Sequence, residues 1–295
     1  MLHFDYIEPA TLEEAATALS AQEAAGRIIA GGTDILVQIK EEKLIVHRLV
    51  SLARIPALAS ISRNKGWINI GAMTTMSKIE ASDLIRQSAP ILFDAVERLG
   101  SVQIRNVATL GGNICNAAPS ADTIPALLAL KAEAIYWTPD GMKREKLEKF
   151  FPGPGQTILE RGHILTSISF AQPHPRSSGA YLKFSRRKGM DLPLLGMAVQ
   201  LQMDKNLSRC EDVTIALGLA APTPVSATGA EEILKGDRMT EEVLASAADR
   251  ASLEAKPRDS FRCSADYRRA MIRNLLPEVV RSALSRVERR VEKGI

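Results

Sequence analysis

The sequence predicts an α+β protein of two domains, and three observations predict it. With 295 residues, 45% of them apolar and 24% charged, the chain is too long for one small module and rich enough in apolar residues for a sizeable core. Short strand-like runs alternate with amphipathic helical stretches from its beginning. Pro173-His174-Pro175-Arg176-Ser177-Ser178-Gly179 reads as a linker, which places a first domain at residues 1–173, subdivided at 1–55 and 56–173, and a second at 174–295.

Phe4 to Glu8 reads as a strand stopped by Pro9. Thr11 is placed to cap a helix with Glu13 and Glu14 in its first turn, Leu12, Ala15, Ala16 and Leu19 on one face, and Gly26 at its end. Arg27 to Ala30 is a buried strand running into Gly31-Gly32-Thr33-Asp34. Ile35 to Lys40 reads as a helix capped by Asp34, and Leu44 to Ser51 as a strand, which completes a βαβ-like start. Trp67 to Ala72 alternates like a strand. Thr75 to Glu80 and Ile85 to Leu99 read as helices, the second with Pro90 inside it, and Ser101 to Pro119 as a loop-rich stretch. A helix at Asp122 to Lys131, a strand at Ala134 to Trp137, a turn at Pro139-Asp140-Gly141, a rigid loop at Phe151 to Gly155 and a strand at Ile164 to Phe170 complete the first part. Beyond the linker, strands are expected at Ala180 to Phe184, Met197 to Met203 and Val213 to Leu219. Helices are expected at Ala230 to Leu234, Thr240 to Ala255, Ser264 to Leu276 and Pro277 to Lys293.

Several function classes are excluded by composition. The formal net charge is +4, and the segment from Lys256 onward carries 11 basic and 5 acidic residues. A basic terminal helix explains this better than a nucleic-acid surface, because base-stacking aromatics are scarce. No apolar run has the length to span a bilayer. Asp5 and Glu8, without an apolar core beside them, argue against a secretory signal. The cysteines Cys115, Cys210 and Cys263 are too far apart for a disulfide framework, a CxxC pair or an iron–sulfur ligand set. The four histidines show no metal-ligand spacing, and no catalytic or metal-binding residue is expected. The expected compartment is the cytoplasm.

Two similar segments carry the candidate chemistry. Paired glycines admit positive φ and let a ligand approach the backbone N–H groups, which can form an anion-binding nest. In Ala30-Gly31-Gly32-Thr33-Asp34, Thr33 adds a hydroxyl. In Thr109-Leu110-Gly111-Gly112-Asn113, Thr109, Asn113 and Asn116 add polar side chains. Two such loops can grip a diphosphate from both sides; each alone also reads as an ordinary turn. Asp122 is either a helix N-cap or an acceptor for a sugar or ribityl hydroxyl. Lys183, Arg186, Arg187 and Lys188 form a basic cluster near a strand end, a solvated face or a place where one lysine meets a cofactor. Cys115 reads as a small buried hydrophobe, with a reactive thiol as the alternative. Gly153 to Ile158 lacks the third glycine of a dinucleotide fingerprint, and there is neither a phosphate loop nor a nucleophile elbow.

Ile29-Ala30-Gly31-Gly32-Thr33-Asp34-Ile35 and the stretch Arg105 to Asp122, which includes Ala108-Thr109-Leu110-Gly111-Gly112-Asn113 and Asn116, closely resemble the two FAD loops of the molybdenum hydroxylase flavoprotein subunits. These are the medium subunits of the xanthine dehydrogenase and carbon monoxide dehydrogenase group. Phe150 to Thr157, Ile164 to Ile168 and Tyr181 to Arg187 support the resemblance, which covers almost the whole chain. It implies a vanillyl-alcohol-oxidase-type (PCMH-type) FAD-binding domain followed by a small α+β C-terminal domain. Carried over, Ala30 to Asp34 and Thr109 to Asn113 hold the FAD diphosphate, with Ile29, Ile35 and Ala108 beside them in the cofactor site; Asn116 and Asp122 contact the ribityl–phosphate region, Leu165 packs near the isoalloxazine and Lys183 lies close to the flavin. Some relatives have a tyrosine where this chain has Leu192, and the cysteine-rich insertion of the hydroxybenzoyl-CoA reductases is missing.

The implied role is electron transfer. A large molybdopterin subunit carries the molybdenum cofactor, a small iron–sulfur subunit carries two [2Fe–2S] clusters, and FAD in this chain passes the electrons to a terminal acceptor, within a dimer of heterotrimers. A flavin-poor scaffold subunit of the same complex and a standalone flavin oxidoreductase are the alternatives.

Overall fold

The structure, a computed structural model, describes residues 3–20 and 26–293. It begins with β1 (Asp5–Ile7), α1 (Leu12–Ser20), β2 (Gly26–Ile29), α2 (Ile35–Lys40) and β3 (Arg48–Ser51). The three strands pair in parallel in the order β1-β3-β2, as a βαβ-like start requires. Thr11 caps α1 by accepting the Glu14 N–H at 3.1 Å. The expected continuation of this helix over 21–25 lies outside the described residues. Asp34 stands at the N-cap of α2 but makes no capping bond, because its own backbone (φ −100°, ψ −51°) is already helical.

β4 (Ile61–Asn64) and β5 (Trp67–Gly71) form a hairpin. Its two-residue loop, Lys65-Gly66, has both φ angles positive, at 48° and 78°, which matches the twist of the strands. The helices α3 (Met76–Glu80), α4 (Asp83–Ser88) and α5 (Pro90–Glu97) follow. The single helix expected over 85–99 is therefore two. Pro90 has no N–H and drives Ala89 to φ −137°, out of the helical region. The stretch expected to be a loop holds two short helices, α6 (Val102–Val107) and α7 (Leu110–Asn116). Next come α8 (Thr123–Ala129), β6 (Glu133–Thr138), β7 (Gly141–Lys146) and β8 (Ile164–Ala171). A five-stranded sheet has the order β4-β5-β8-β6-β7.

The rest of the chain is β9 (Ser177–Phe184), β10 (Leu195–Met203), β11 (Cys210–Gly218), β12 (Val225–Ser226), α9 (Thr228–Leu234), α10 (Glu241–Glu254) and α11 (Ala265–Glu292). Its four strands form an antiparallel sheet in the order β12-β11-β10-β9. Part of the expected linker, Ser177 to Gly179, is buried strand. The two terminal helices expected on either side of Pro277 are one, α11. An internal proline costs about 3 kcal/mol. Burial of Ile272, Leu276, Val279, Val280, Ala283 and Val287 along one stripe of the helix offsets it, at roughly 1.5–3 kcal/mol for each large aliphatic side chain.

The chain divides into two compact units. The first comprises Met1–Ile79, Val102–Ala117 and Ala132–Phe170, and the second Glu80–Ser101, Ala118–Lys131 and Ala171–Ile295. In the first unit, Ala15, Ala16 and Leu19 of α1 join Val50, Leu52, Leu58 and Ile164 in one cluster. In the second, the inner faces of β10 and β11 pack against α10 and α11 through Val199, Leu201, Ile215, Leu244, Ile272 and Val280. Among the described residues no helix is long and apolar enough to cross a membrane.

Candidate functional site

Within the first unit the structure brings the two glycine segments together. A side chain at Gly31 would land on the carbonyl of Val107, so only glycine lets the first loop seat on the α6–α7 connection. Gly32 turns the chain with φ +74°, in the left-handed region. On the other segment, the Cβ position of Gly112 lies 3.7 Å from the Ala30 Cβ. Ala30, Gly31, Gly32, Thr33, Gly112 and Asn113 are all half-exposed, so the junction has a solvent-facing surface made of small residues.

The second segment is held rigidly. Leu110 N–H donates to the Thr74 carbonyl at 3.0 Å, Gly111 N–H to the Ala72 carbonyl at 2.8 Å, and Met76 N–H to the Ala108 carbonyl at 2.9 Å. Thr109, 3% exposed, caps α7 by accepting the Gly112 N–H at 3.1 Å. This segment is thus the first turn of a helix and not a loop, and neither Gly111 nor Gly112 has positive φ. Their amides are bonded within the protein, and the surface they offer is one without side chains. On the first segment the Thr33 hydroxyl donates to Asp34 Oδ2 at 3.3 Å. Ile29 is buried, Ile35 half-exposed, and Asn116 half-exposed in the last turn of α7. Leu165 is buried in β8 opposite Tyr136. Cys115, expected to be a small buried hydrophobe, reaches solvent. The mass of protein around it still pushes its thiol up to about 12, which keeps it protonated at neutral pH.

Within the second unit, Asp122 and Lys183 come together. Asp122 occupies the N-cap position of α8 but makes no capping bond. Its Oδ1 accepts the Tyr181 hydroxyl at 2.8 Å, and its Oδ2 accepts the Lys183 ammonium at 2.8 Å. Lys183 Nζ also donates to the Arg98 carbonyl at 3.0 Å. The side chains of Lys183 and Asp122 are each 6% exposed. Burial raises the Asp122 carboxyl above its ordinary value, while the charge of Lys183 and the two hydrogen bonds pull it down. Burial, and then the Asp122 charge, raise the Tyr181 phenol well above its ordinary value, so it stays a donor. A second pair anchors the strand that carries Tyr181 and Lys183. Arg286 grips Asp94 through two bonds of 2.6 and 3.1 Å and donates to the Gly179 carbonyl, and Asp94 accepts the Tyr181 N–H at 3.2 Å.

Tyr181, Arg98, Asp94 and Arg286 were not singled out from the sequence. One signal did exist for Tyr181. Residues two apart on a strand share a face, so the position beside Lys183 on that face is Tyr181. No local signal marks Asp94 or Arg286.

The chain is similar to known proteins along nearly its full length. A family model described as the FAD binding domain in molybdopterin dehydrogenase matches residues 2–173, and one described as the CO dehydrogenase flavoprotein C-terminal domain matches residues 180–283. A xanthine dehydrogenase FAD-binding subunit of Escherichia coli O157:H7 is 30% identical, covering 95% of this chain and 96% of that protein. A carbon monoxide dehydrogenase medium chain of Hydrogenophaga pseudoflava is 28% identical, over 96% and 98%. In structure, a chain of the Hydrogenophaga pseudoflava carbon monoxide dehydrogenase superposes with a TM-score of 0.92 at 28% identity, covering 96% of this chain and 98% of that one. A chain of quinoline 2-oxidoreductase from Pseudomonas putida 86 does so with 0.91 at 27%, over 97% and 98%. The junction of the two glycine segments, the full-length match and the two matching domains lead to one conclusion: this chain belongs to the FAD-binding medium subunits of the molybdenum hydroxylases.

Proposed function

We propose that this chain takes electrons from [2Fe–2S] clusters of a small partner subunit and delivers them to a terminal acceptor, in a complex whose large subunit holds the molybdenum cofactor. In this reading Ala30 to Asp34 and Thr109 to Asn113 hold the FAD diphosphate, with Ile29, Ile35 and Ala108 beside them, Asn116 and Asp122 serve the ribityl–phosphate region, and Leu165 and Lys183 serve the isoalloxazine. Residues 1–173 form the FAD-binding domain and 174–295 the C-terminal domain. The full assembly is a dimer of heterotrimers in the cytoplasm, where three separate free thiols remain reduced.

The observation that carries this reading is the seating of Gly31 on the Val107 carbonyl, with Gly112 beside Ala30. It leaves a cradle without side chains, over which a diphosphate can approach the backbone of the first segment. The residues present fit the cofactor. When bound, FAD supplies the redox chemistry, and the protein supplies position and electrostatics. Asp122 retains acceptor capacity for a ligand hydroxyl, because a carboxylate offers about four lone-pair sites and Tyr181 and Lys183 use two. Lys183 is a fixed positive charge, held by Asp122 and the Arg98 carbonyl.

The purified wild-type protein is expected to be yellow, with one FAD per chain released on denaturation. Gly112→Asp places a carboxylate in the cradle and is expected to lose most of the flavin while keeping the wild-type circular dichroism. Full flavin occupancy in this variant would overturn the assignment of the cradle.

A further inference from the structure

We infer that Tyr181 and Gly196 are positioning residues for the cofactor: a glycine notch in the four-stranded sheet seats the Tyr181 phenol, and the phenol fixes the Asp122 carboxylate that receives a ligand hydroxyl. The inference rests on the reading in which Asp122 and Lys183 serve FAD, and adds what holds them in place.

The sheet face that carries Tyr181 and Lys183 is otherwise built of small residues. Lys183 of β9 pairs with Gly196 of β10, and Gly196 with Gly218 of β11. Two residues along, Tyr181 pairs with Ala198, and Ala198 with Ala216. Paired residues and residues two apart share a face, so the tyrosine and the lysine stand beside a floor of two glycines and two alanines. Glycine weakens a strand interior, because it loses more entropy on folding and packs nothing. Neither Gly196 nor Gly218 has positive φ, so the backbone does not call for glycine at either position. Space does. A Cβ at Gly196 would stand 2.9 Å from the Tyr181 hydroxyl oxygen, and one at Gly218 would stand 3.0 Å from Pro125 Cγ, in the first turn of α8.

The notch lets the phenol lie diagonally across the neighbouring strand, with its hydroxyl over Gly196 and directed at Asp122 Oδ1, 2.8 Å away. Asp122 depends on such a hold, because it makes no capping bond to α8. Its two oxygens are held from one strand, Oδ1 by Tyr181 and Oδ2 by Lys183, so the carboxylate cannot turn without breaking a bond. Lys183 has the Arg98 carbonyl as a second anchor, and its ammonium stays in place without the phenol. The orientation of the carboxylate is therefore what Tyr181 decides. A carboxylate already fixed in its binding orientation receives a ligand hydroxyl at a lower cost in order than one that must first be immobilised.

The two glycines of the notch do different work. Gly218 lets α8 approach the sheet, since its Cβ position meets Pro125. At Gly196 the three nearest atoms all belong to Tyr181: the hydroxyl oxygen at 2.9 Å, then Cε2 at 3.4 Å and Cζ at 3.6 Å. Only the first of these is closer than ordinary contact. Gly196 thus makes room for one oxygen atom, the one that bonds Asp122.

The test is a double-mutant cycle on the full chain, purified with its partner chains, stripped of flavin and titrated with FAD. Tyr181→Phe and Gly196→Ala are each expected to weaken FAD binding about tenfold. Their effects should not add. Without the hydroxyl oxygen, a Cβ at position 196 meets only ring carbons at 3.4 and 3.6 Å, so Gly196→Ala should cost nothing further in the Tyr181→Phe background. Gly218→Ala, which meets Pro125, should cost the same in both backgrounds. Urea midpoints of the flavin-free protein should show the same pattern. An equal cost of Gly196→Ala in both backgrounds would overturn the inference, because the glycine would then act through packing alone. So would relief of Gly218→Ala by the same loss of the hydroxyl. Wild-type FAD affinity in every variant, with non-additivity only in the midpoints, would overturn the positioning role and leave the FAD reading standing. A wild-type chain that takes up no FAD would overturn that reading and the inference with it.

Discussion

The two regions that carry the candidate chemistry are built by opposite means. The glycine junction of the first unit is made of backbone. It buries no charge, and its shape comes from residues that lack side chains, Gly31 on the Val107 carbonyl and Gly112 near Ala30. The Asp122–Lys183–Tyr181 cluster of the second unit is made of side chains, contributed from positions 59 and 61 residues apart, and buries a carboxylate with an ammonium. Backbone construction offers a smooth surface that tolerates little added volume. Side-chain construction offers a fixed charge, stable only while each member keeps its partner.

The sharpest way to break this contrast is to remove one partner of the ion pair. Lys183→Met leaves the Asp122 carboxylate buried with the Tyr181 hydroxyl alone, and is expected to cost about 3–5 kcal/mol in urea unfolding. The double variant Asp122→Leu with Lys183→Met should cost less than either single change, because no charge is left stranded. If Lys183→Met cost under about 1 kcal/mol, the pair would behave as a surface salt bridge and the contrast would fail.

Volume tests the other region. Gly31→Ala meets a backbone carbonyl that cannot rotate aside, and a loss of about 1–3 kcal/mol in thermal unfolding is expected. Gly32→Ala meets mainly the end of the Leu36 side chain, so its cost is that of a left-handed alanine, about 1–2 kcal/mol. Equal, negligible losses in both would mean that the two segments are not packed as described. The comparison with Gly112→Asp, made on flavin-free protein because bound flavin itself stabilises the fold, then separates fold from ligand. Its Cβ meets the Thr109 hydroxyl at 3.0 Å and not a backbone carbonyl, so the melt should fall less than for Gly31→Ala while flavin content falls more.

This difference in construction also decides what the sequence revealed. The glycine segments are contiguous, so their composition alone announces a close approach of backbone. The family resemblance rests on the same stretches. The helices α6 and α7 stayed hidden in a stretch expected to be loop. Each is a turn or two long, and α7 carries two glycines that its own sequence disfavours; tertiary bonds to Ala72 and Thr74 hold it. Pro277 hid the continuity of α11 for the converse reason, since local propensity breaks a helix that its buried stripe keeps whole. Asp122 was legible as a polar residue at a helix start, but its partners were not. No local pattern ties it to a strand about sixty residues on, nor Asp94 to Arg286, which lie 192 residues apart.

Protonation sharpens the contrast with smaller effects of opposite sign. Burial raises the Asp122 carboxyl in the folded state, so its contribution to stability is fully present below the unfolded value, about 3.9, and declines as pH rises through the raised folded value. Lys183→Met removes what opposes burial, so its cost should shrink as pH falls toward 4 and grow above it, measured by urea midpoints across that range. Asp204, in the β10–β11 connection, behaves in reverse. The N–H groups of Ser208 and Arg209, at 2.8 and 3.2 Å, hold its carboxyl below the ordinary value, so its contribution is present above the unfolded value and lost as pH falls through the folded one. Asp204→Asn is therefore expected to flatten the acid side of the stability profile, by less than Lys183→Met steepens the other, because Asp204 is half-buried at the surface, where solvent reaches its bonds, while Asp122 is buried. Both variants thus lose ground to the wild type as pH rises. The opposite sign is read from Asp122→Asn, whose cost should shrink as pH rises because a raised carboxyl is removed. A cost of Asp122→Asn that grew with pH would show that the carboxyl is governed by Lys183 and not by its burial.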